Sequence, residues 1–460
     1  MSPRHGRMFN NKGVLPNGKG CWKRVETLSL SRSQLLRNYF IITKDMLRKN
    51  WVKREVEPEL QKWLKRREII LIRGARRVGK TALMRKIYDE VSEPKAFITC
   101  DDIDFLSRIN TPSDLIFLLK AAYGFDDARR FVLFLDEFHY LPQPQLFLKN
   151  LYDSHPNLKM IVSGSSSFET IKGGEPLTGR IVEFKLMPFT FKEILPYKLG
   201  HEVEPSPKFF RMFRKEIERI FMDYIAFGGF PEVALEDELP IRVRWLGEYV
   251  QRYVQKDIVH FVRVENFMAF NSLLKLLASQ IGRLVNLTEI SNTLNISFQT
   301  VSRYLGIMVA SFLVELVRPF ARNPRTEISK NPKVYFCDLG LRNRLLGLNE
   351  AVSTAVDLGR EVENFVFLTL ASKFGGQNVK FYRKLTGAEI DFVVQVEPKK
   401  LILIEVKHRS KVRMPAVFKR FEAKYGRDFE ITKILVTKDL YGWMHGTLAV
   451  PAPMLPFVLE

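Results

Sequence analysis

Five short apolar runs, at 69–72, 96–99, 131–135, 159–162 and 181–186, alternate with stretches at 80–91, 113–123 and 143–152 in which apolar positions recur every three or four residues. Short runs bounded by turn residues predict buried strands, and the longer periodic stretches predict helices. Strands and helices alternating at this spacing imply an α/β fold with a parallel sheet covered on both faces. A helical pattern also spans 51–64, ahead of the first strand. After Pro188 the strands stop. Phe210, Phe213, Ile217, Phe221 and Tyr224 then share one helical face, and helical patterning runs on to Asp257. Short helices and a basic hairpin follow between 266 and 340, and the last 120 residues return to mixed strands and helices. The expected organisation is a basic tail at 1–45, an α/β core at 46–195, a helical lid at 196–265, a short-helix module at 266–340 and a second α/β domain at 341–460.

Length and composition narrow this picture. At ~150 residues per domain, 460 residues make several domains, and 46% apolar residues provide a core for each, which excludes a disordered or fibrous chain. Cys21, Cys100 and Cys337 are odd in number and far apart, so neither a disulfide framework nor a thiolate zinc site is expected, and a reducing interior suits the chain. Apolar runs such as 131–135 and 401–404 are too short to cross a bilayer and the N-terminus has no apolar signal core, so the expectation is a cytoplasmic protein without a membrane segment. The formal net charge is +21, of which +12 falls within residues 1–67. That surplus makes polyanions, above all nucleic acid, the leading partner class, with solubility as the alternative use of the charge. Residues 1–35, rich in Gly, Ser, Asn, Arg and Lys, read as a mobile tail, or as an upstream extension if Met8 or Met46 is the true start.

The segment Gly74, Ala75, Arg76, Arg77, Val78, Gly79, Lys80, Thr81 fits G-x-x-x-x-G-K-[ST] directly after a strand and, with Ala82, opens a helix. In such a loop backbone N–H groups turn inward around phosphates, the lysine reaches the β- and γ-phosphates, and the Thr hydroxyl holds Mg²⁺. ATP and Mg²⁺ are therefore the expected cofactors. The buried run ending in Asp136 and Glu137 supplies an acid for the magnesium shell and one to polarise the attacking water. A further strand ends in Ser163, Gly164 and Ser165, where a hydroxyl can sense the γ-phosphate; Ser163 is the choice over Ser165.

These features, together with Leu177-Thr-Gly-Arg180 and Met187-Pro-Phe-Thr-Phe-Lys-Glu193, resemble the AAA+ superfamily, specifically its prokaryotic and mainly archaeal ATPases. The resemblance implies a ring, often a hexamer, in which an Arg of one subunit reaches the neighbour's γ-phosphate. Arg180 is the candidate finger, with a structural Arg at the start of the last strand as the other reading. Arg76 and Arg77 touch phosphate or are solvated.

Residues 287–305 read as helix, tight turn, helix, with Thr288 and Ser297 as N-caps and Ile290, Leu294, Val301 and Leu305 as the seam. Gln299, Thr300, Arg303 and Tyr304 are left on the outer face of the second helix, as in a winged-helix module, and Arg318, Arg322, Arg325, Lys330 and Lys333 form a basic wing suited to DNA phosphates. Such modules serve in ATPases either as DNA readers or as lids and protein contacts. Further on, Asp391 and the pair Glu405 and Lys407 lie on two strands of an expected hairpin, with Glu405 and Lys407 on one face. With Glu363 they resemble the PD-(D/E)xK nuclease superfamily, in which Asp391 and Glu405 would hold a metal and Lys407 would stabilise phosphodiester charge; a solvated strand face is the plain alternative.

The leading expectation is a ring-forming, Mg-dependent ATPase that remodels duplex or branched DNA, such as a Holliday junction, in repair or recombination. The alternatives are an ATP-gated nuclease and a nucleotide-dependent signalling or defence switch with a protein partner.

Overall fold

The computed structural model describes residues 51–459 apart from 165–176, 253–263, 265, 322, 354–357 and 385–386. The five expected strands are present as β1 (Ile69–Arg73), β2 (Lys95–Thr99), β3 (Phe131–Asp136), β4 (Leu158–Gly164) and β5 (Ile181–Lys185). They form one parallel sheet in the order β2-β3-β4-β1-β5. Every residue of β3 and β4 is buried, as continuous apolar runs require when helices cover both faces. Helices α1 (Glu57–Leu64), α2 (Lys80–Glu90), α3 (Pro112–Tyr123) and α4 (Pro144–Ser154) flank it. Thr111 and Asp114 close a capping box on α3, and Gly124 in the left-handed region ends it. Helix α1 starts only at Glu57, later than the pattern from 51 implies, because Arg54 turns inward and is 4% exposed.

Beyond the sheet lie α5 (Phe191–Leu199), α6 (Arg214–Phe227), α7 (Pro231–Ala234) and α8 (Leu239–Tyr249). Then come α9 (Phe267–Ser279), α10 (Leu287–Leu294) and α11 (Phe298–Ala310), followed by the antiparallel hairpin β6 (Val314–Val317) and β7 (Lys333–Phe336) with α12 (Pro324–Ser329) at its tip. The expected boundary at 340/341 falls inside α13 (Leu339–Leu346), where Asn343 donates to the Ile225 and Ala226 carbonyls of α6.

A second, mixed sheet follows, in the order β12-β13-β11-β10-β9-β8. Its strands are β8 (Val379–Arg383), β9 (Glu389–Glu397), β10 (Lys400–Val406), β11 (Glu430–Thr437), β12 (Gly442–Met444) and β13 (Thr447–Pro451). Strands β9 and β10 are the expected hairpin, antiparallel with Ile404 opposite Phe392, while β11 lies parallel to β10. Helix α14 (Gly359–Phe374) packs on this sheet, and through Phe365 it meets Phe191 of α5 and Phe221 of α6 with ring centroids 5.7 and 4.9 Å apart. Helix α15 (Ala416–Tyr425) covers a further cluster with Phe418, Phe421 and Tyr425. Among the described residues no helix is long and apolar enough to cross a membrane.

Gly228, at the end of α6, has φ +75°, and a Cβ there would lie 2.3 Å from both carboxylate oxygens of Asp338. Asp338 is spoken for, since Oδ2 accepts from the Gly229 N–H at 2.8 Å and Oδ1 from the Leu341 N–H at 2.7 Å. Gly228→Ala is therefore expected to lower stability by about 3 kcal/mol, read as a fall in the urea midpoint at unchanged slope.

Candidate functional site

The loop between β1 and α2 is shaped by its glycines. Leu186 donates to the Arg73 carbonyl at 2.6 Å, which brings the end of β5 so close that a Cβ on Gly74 would sit 2.1 Å from the Leu186 oxygen. Arg77 at φ +65° and Gly79 at φ +95° complete the turn, so successive N–H groups face the concave side before α2 begins at Lys80. Ala75 and Val78 are buried beneath the loop and Ala82 is half-buried on the helix. Lys80 is 4% exposed, and its Nζ donates to the Gly74 and Ala75 carbonyls, both at 3.2 Å, with Glu137 Oε1 at 3.9 Å. Burial lowers the lysine pKa against the opposing pull of Glu137 and Asp136.

At the edge of the sheet a chain of hydrogen bonds ties three elements together. Thr81 Oγ1 donates to Asp136 Oδ2 at 2.6 Å, Ser163 Oγ donates to Asp136 Oδ1, and the Glu137 N–H donates to Ser163 Oγ at 3.0 Å. Glu137 itself sits at φ +53°, a conformation a glutamate adopts only when its surroundings enforce it. Its carboxylate lies between Lys80 and His139, whose Nδ1 is 3.3 Å from Oε2. Burial raises the Glu137 pKa and lowers that of His139 to about 4, so the imidazole is neutral at pH 7. Ser163 differs from its expected role: it is fully buried and its proton is aimed at Asp136, so it braces the acid rather than facing a phosphate. Ser165 lies outside the described residues.

Arg180 is placed at the other end of the sheet. It precedes β5, whose Ile181 pairs with Ile69 at the start of β1, a strand's length from the loop of its own chain. Its Nε and Nη2 grip Asp153 at 2.8 and 3.1 Å on the surface. Of the two loop arginines, Arg76 acts electrostatically on Lys80 and Glu137, whereas Arg77 reaches the helices beyond the sheet, 3.4 Å from Glu232 of α7 and 5.1 Å from the centre of the Trp245 ring of α8.

Sequence reasoning missed Arg54. Its Nη1 donates to the Val78 carbonyl of the loop at 3.0 Å, Nη2 to the Met187 carbonyl at 2.6 Å and Nε to Glu193 at 3.1 Å. Glu193 accepts in addition from the backbone of Glu55 and Thr190. No local motif announces an arginine twenty residues upstream of the loop; the only signal is Glu193 at the third position of a capping box with Thr190.

On the second helix of the expected winged-helix pair, Gln299 and Arg303 are exposed and Thr300 is half-buried, its N–H held by Ser297. Tyr304 is fully buried, contrary to the outward position expected for it, because it stands three residues from Val301 and falls on the same inward stripe; its hydroxyl donates to the Asn266 carbonyl at 3.3 Å. The first helix is capped by Asn286 and not by Thr288. Of the wing, Arg325 is exposed and Arg322 lies outside the described residues. Lys333 is buried and so is closed to a phosphate backbone, whereas Arg318 is exposed, with its Nη1 donating to the Ile328 carbonyl at 3.1 Å.

In the C-terminal sheet the β9–β10 register ends with Ile404 opposite Phe392, next to Glu405 and Asp391, and Asp391 Oδ2 accepts from the Val406 N–H at 2.8 Å. Lys407 Nζ donates to Glu405 Oε1 at 2.6 Å. Burial and mutual repulsion raise the Asp391 pKa, and burial raises that of Glu405. Glu363 is near but engaged elsewhere, accepting from Tyr335 at 2.6 Å and Lys333 at 3.0 Å. Among the described residues no group of three or more His, Cys, Asp and Glu side chains is arranged to hold a metal ion, so Asp391 and Glu405 remain as a pair.

Three family matches divide the chain. Residues 66–195 match an AAA domain, 218–352 a domain of unknown function (DUF8612) and 358–455 another (DUF4143). An uncharacterized protein of Haemophilus influenzae is 27% identical, covering 71% of this chain and 79% of its own length. Another, of Methanocaldococcus jannaschii, is 28% identical over 73% of this chain and 74% of its own. A solved structure of a signal-transduction ATPase with a tetratricopeptide repeat sensor from Pyrococcus horikoshii aligns with 71% of this chain and 46% of that one, at 14% identity and a TM-score of 0.26, too low to bear on the argument. The phosphate loop and the acid pair at the end of β3 thus lie within the AAA-domain match of residues 66–195, which supports an AAA-type ATPase for that part of the chain.

Proposed function

We propose that the protein is a Mg-dependent ATP hydrolase that acts on DNA. The observation that carries the first half is the chain from Thr81 through Asp136 and Ser163 to Glu137, which joins the phosphate loop to two strand ends. The donor set suits Mg²⁺, a hard cation that takes oxygen ligands: Thr81 Oγ1 and Asp136 would hold it, directly or through water, and it would offset charge on the β- and γ-phosphates. The loop N–H groups and Lys80 bind and orient the triphosphate. Glu137 takes the proton of the attacking water, and burial raises its pKa, which makes the carboxylate a stronger base than a solvated one. Arg180, released from Asp153, serves a neighbouring subunit's site in a homo-oligomer, and a closed hexameric ring is the assembly this reading takes.

The second half of the reading rests on the +21 charge and the exposed Gln299 and Arg303 of α11, which suit a winged-helix contact with duplex or branched DNA. DNA binding is expected to weaken linearly in log salt, and Arg303→Ala to reduce it and its salt slope by about one unit. Binding that is unchanged in that variant moves the contact elsewhere. Remodelling of four-way junctions is the narrower form of this reading.

A second reading, a metal-dependent nuclease gated by the ATPase, is favoured by one observation: Glu405 Oε2 is buried without a hydrogen-bond partner beside Asp391 and Lys407. Mg- or Mn-dependent cleavage that disappears in Asp391→Ala and Glu405→Ala while ATP hydrolysis persists would support it; no cleavage of any DNA structure removes it.

A further inference from the structure

Lys333, at the start of β7, lies inside the C-terminal carboxylate cluster. Its side chain is 4% exposed, with Nζ 2.6 Å from Glu389 Oε1 and 3.0 Å from Glu363 Oε1. Tyr335, two residues on and on the same face of the strand, donates to that Glu363 oxygen at 2.6 Å. The hairpin therefore delivers an ammonium and a hydroxyl together into a site otherwise built from β9, β10 and α14. Four carboxylates, those of Glu363, Glu389, Asp391 and Glu405, meet two ammonium groups, those of Lys333 and Lys407. Burial alone would lower the Lys333 pKa, but Glu363, Asp391 and Glu389 override it and hold it up to about 12, so the group is charged at any physiological pH.

We propose that Lys333 is the resident cation of this cluster: it occupies Glu363 and Glu389 and competes with a divalent metal for the C-terminal site. The physical basis is charge. A divalent ion bound at Asp391 and Glu405 would share the same low-dielectric pocket with a fixed ammonium, and the two cations repel. The geometry agrees, because Glu363, the third acid such a centre would recruit, is turned to Lys333 and Tyr335. The hairpin follows α11 directly and is held against α14 and the C-terminal sheet: the Phe336 backbone exchanges hydrogen bonds with the Asn364 side chain at 2.8 and 2.9 Å, the Tyr335 ring stacks on Phe367 with centroids 4.7 Å apart, and Lys380 pairs with Glu327 at 2.7 Å.

The inference rests on the reading of the cluster as a divalent-metal site, and its test separates the two. Mn²⁺ binding to the nucleotide-free full-length protein is followed by the electron paramagnetic resonance of free Mn²⁺ in wild type, Lys333→Met, Lys333→Arg and Lys333→Met/Glu405→Gln. Lys333→Met is expected to bind one Mn²⁺ at least tenfold more tightly than wild type, Lys333→Arg to match wild type, and the added Glu405→Gln to abolish the gain. Equal affinity in wild type and Lys333→Met, lost on Glu405→Gln in both, overturns the competition and leaves the metal site standing. No Glu405-dependent binding in either overturns both. Should Lys333→Met fail to fold, Glu389→Gln, which removes one partner of the ammonium, carries the test: a severalfold gain supports the proposal and an unchanged affinity overturns it.

Discussion

Glu137→Gln lowers ATP turnover by about 10²- to 10⁴-fold and leaves ATP binding close to wild type, the range set by removal of a positioned base. The amide keeps the shape of the side chain but takes no proton, and the Glu137 N–H bond to Ser163 is a backbone bond that the change does not touch. The positive φ that turns the residue toward Lys80 survives as well, since glutamine is held there by the same strand end and the same serine. Lys80→Ala gives the opposite split, losing affinity along with turnover because the lysine binds phosphate in the ground state too. Single-turnover hydrolysis and equilibrium binding of a fluorescent ATP analogue, measured on both variants, separate the two roles. Comparable loss of binding in Glu137→Gln would remove Glu137 from the water-activating role.

Arg54→Met lowers stability by about 3–5 kcal/mol, as expected when one partner of a buried ion pair is removed and the other is stranded. Arg54 and Glu193 are each 4% exposed, and the guanidinium also holds the Val78 and Met187 carbonyls, so the variant leaves a buried carboxylate and two carbonyls without that donor. The deficit depends on pH in a defined direction. Burial already raises the Glu193 pKa against the pull of Arg54; without the arginine it rises further above the unfolded value. A carboxyl with a raised folded pKa contributes stability at low pH and loses it as pH climbs through the folded pKa, so the deficit is larger at pH 8 than at pH 5. Adding Glu193→Gln recovers part of the loss. Because Val78 is in the phosphate loop, the single variant also raises KM for ATP, which urea melts paired with steady-state kinetics detect together.

The described fold up to residue 190 is legible at the level of strands and loop because its signals are local. Four- to six-residue apolar runs encode β1 to β5, and Gly79, Lys80 and Thr81 identify the phosphate loop by spacing alone. What escapes is whatever depends on pairing across the chain. Arg54 acquires its meaning from Glu193, 139 positions away, and Ser163 its orientation from Asp136. The same holds for the charged hairpin. Lys333 reads as a surface wing residue in a run of lysines and prolines, yet β7 pairs with β6 so that its alternate positions face Glu363 and Glu389. Tyr304 is the case where a closer look at period would have sufficed, since its spacing from Val301 already puts it inward.

The central claim, a Mg-dependent phosphate-loop ATPase that works on DNA, is tested most directly by ATP hydrolysis across single-stranded, duplex and four-way DNA at two salt concentrations, with Lys80→Ala alongside. The account predicts Mg-dependent turnover that DNA stimulates, that falls as salt weakens binding, and that Lys80→Ala abolishes. Turnover that survives Lys80→Ala, or that no DNA alters at either salt concentration, would contradict it.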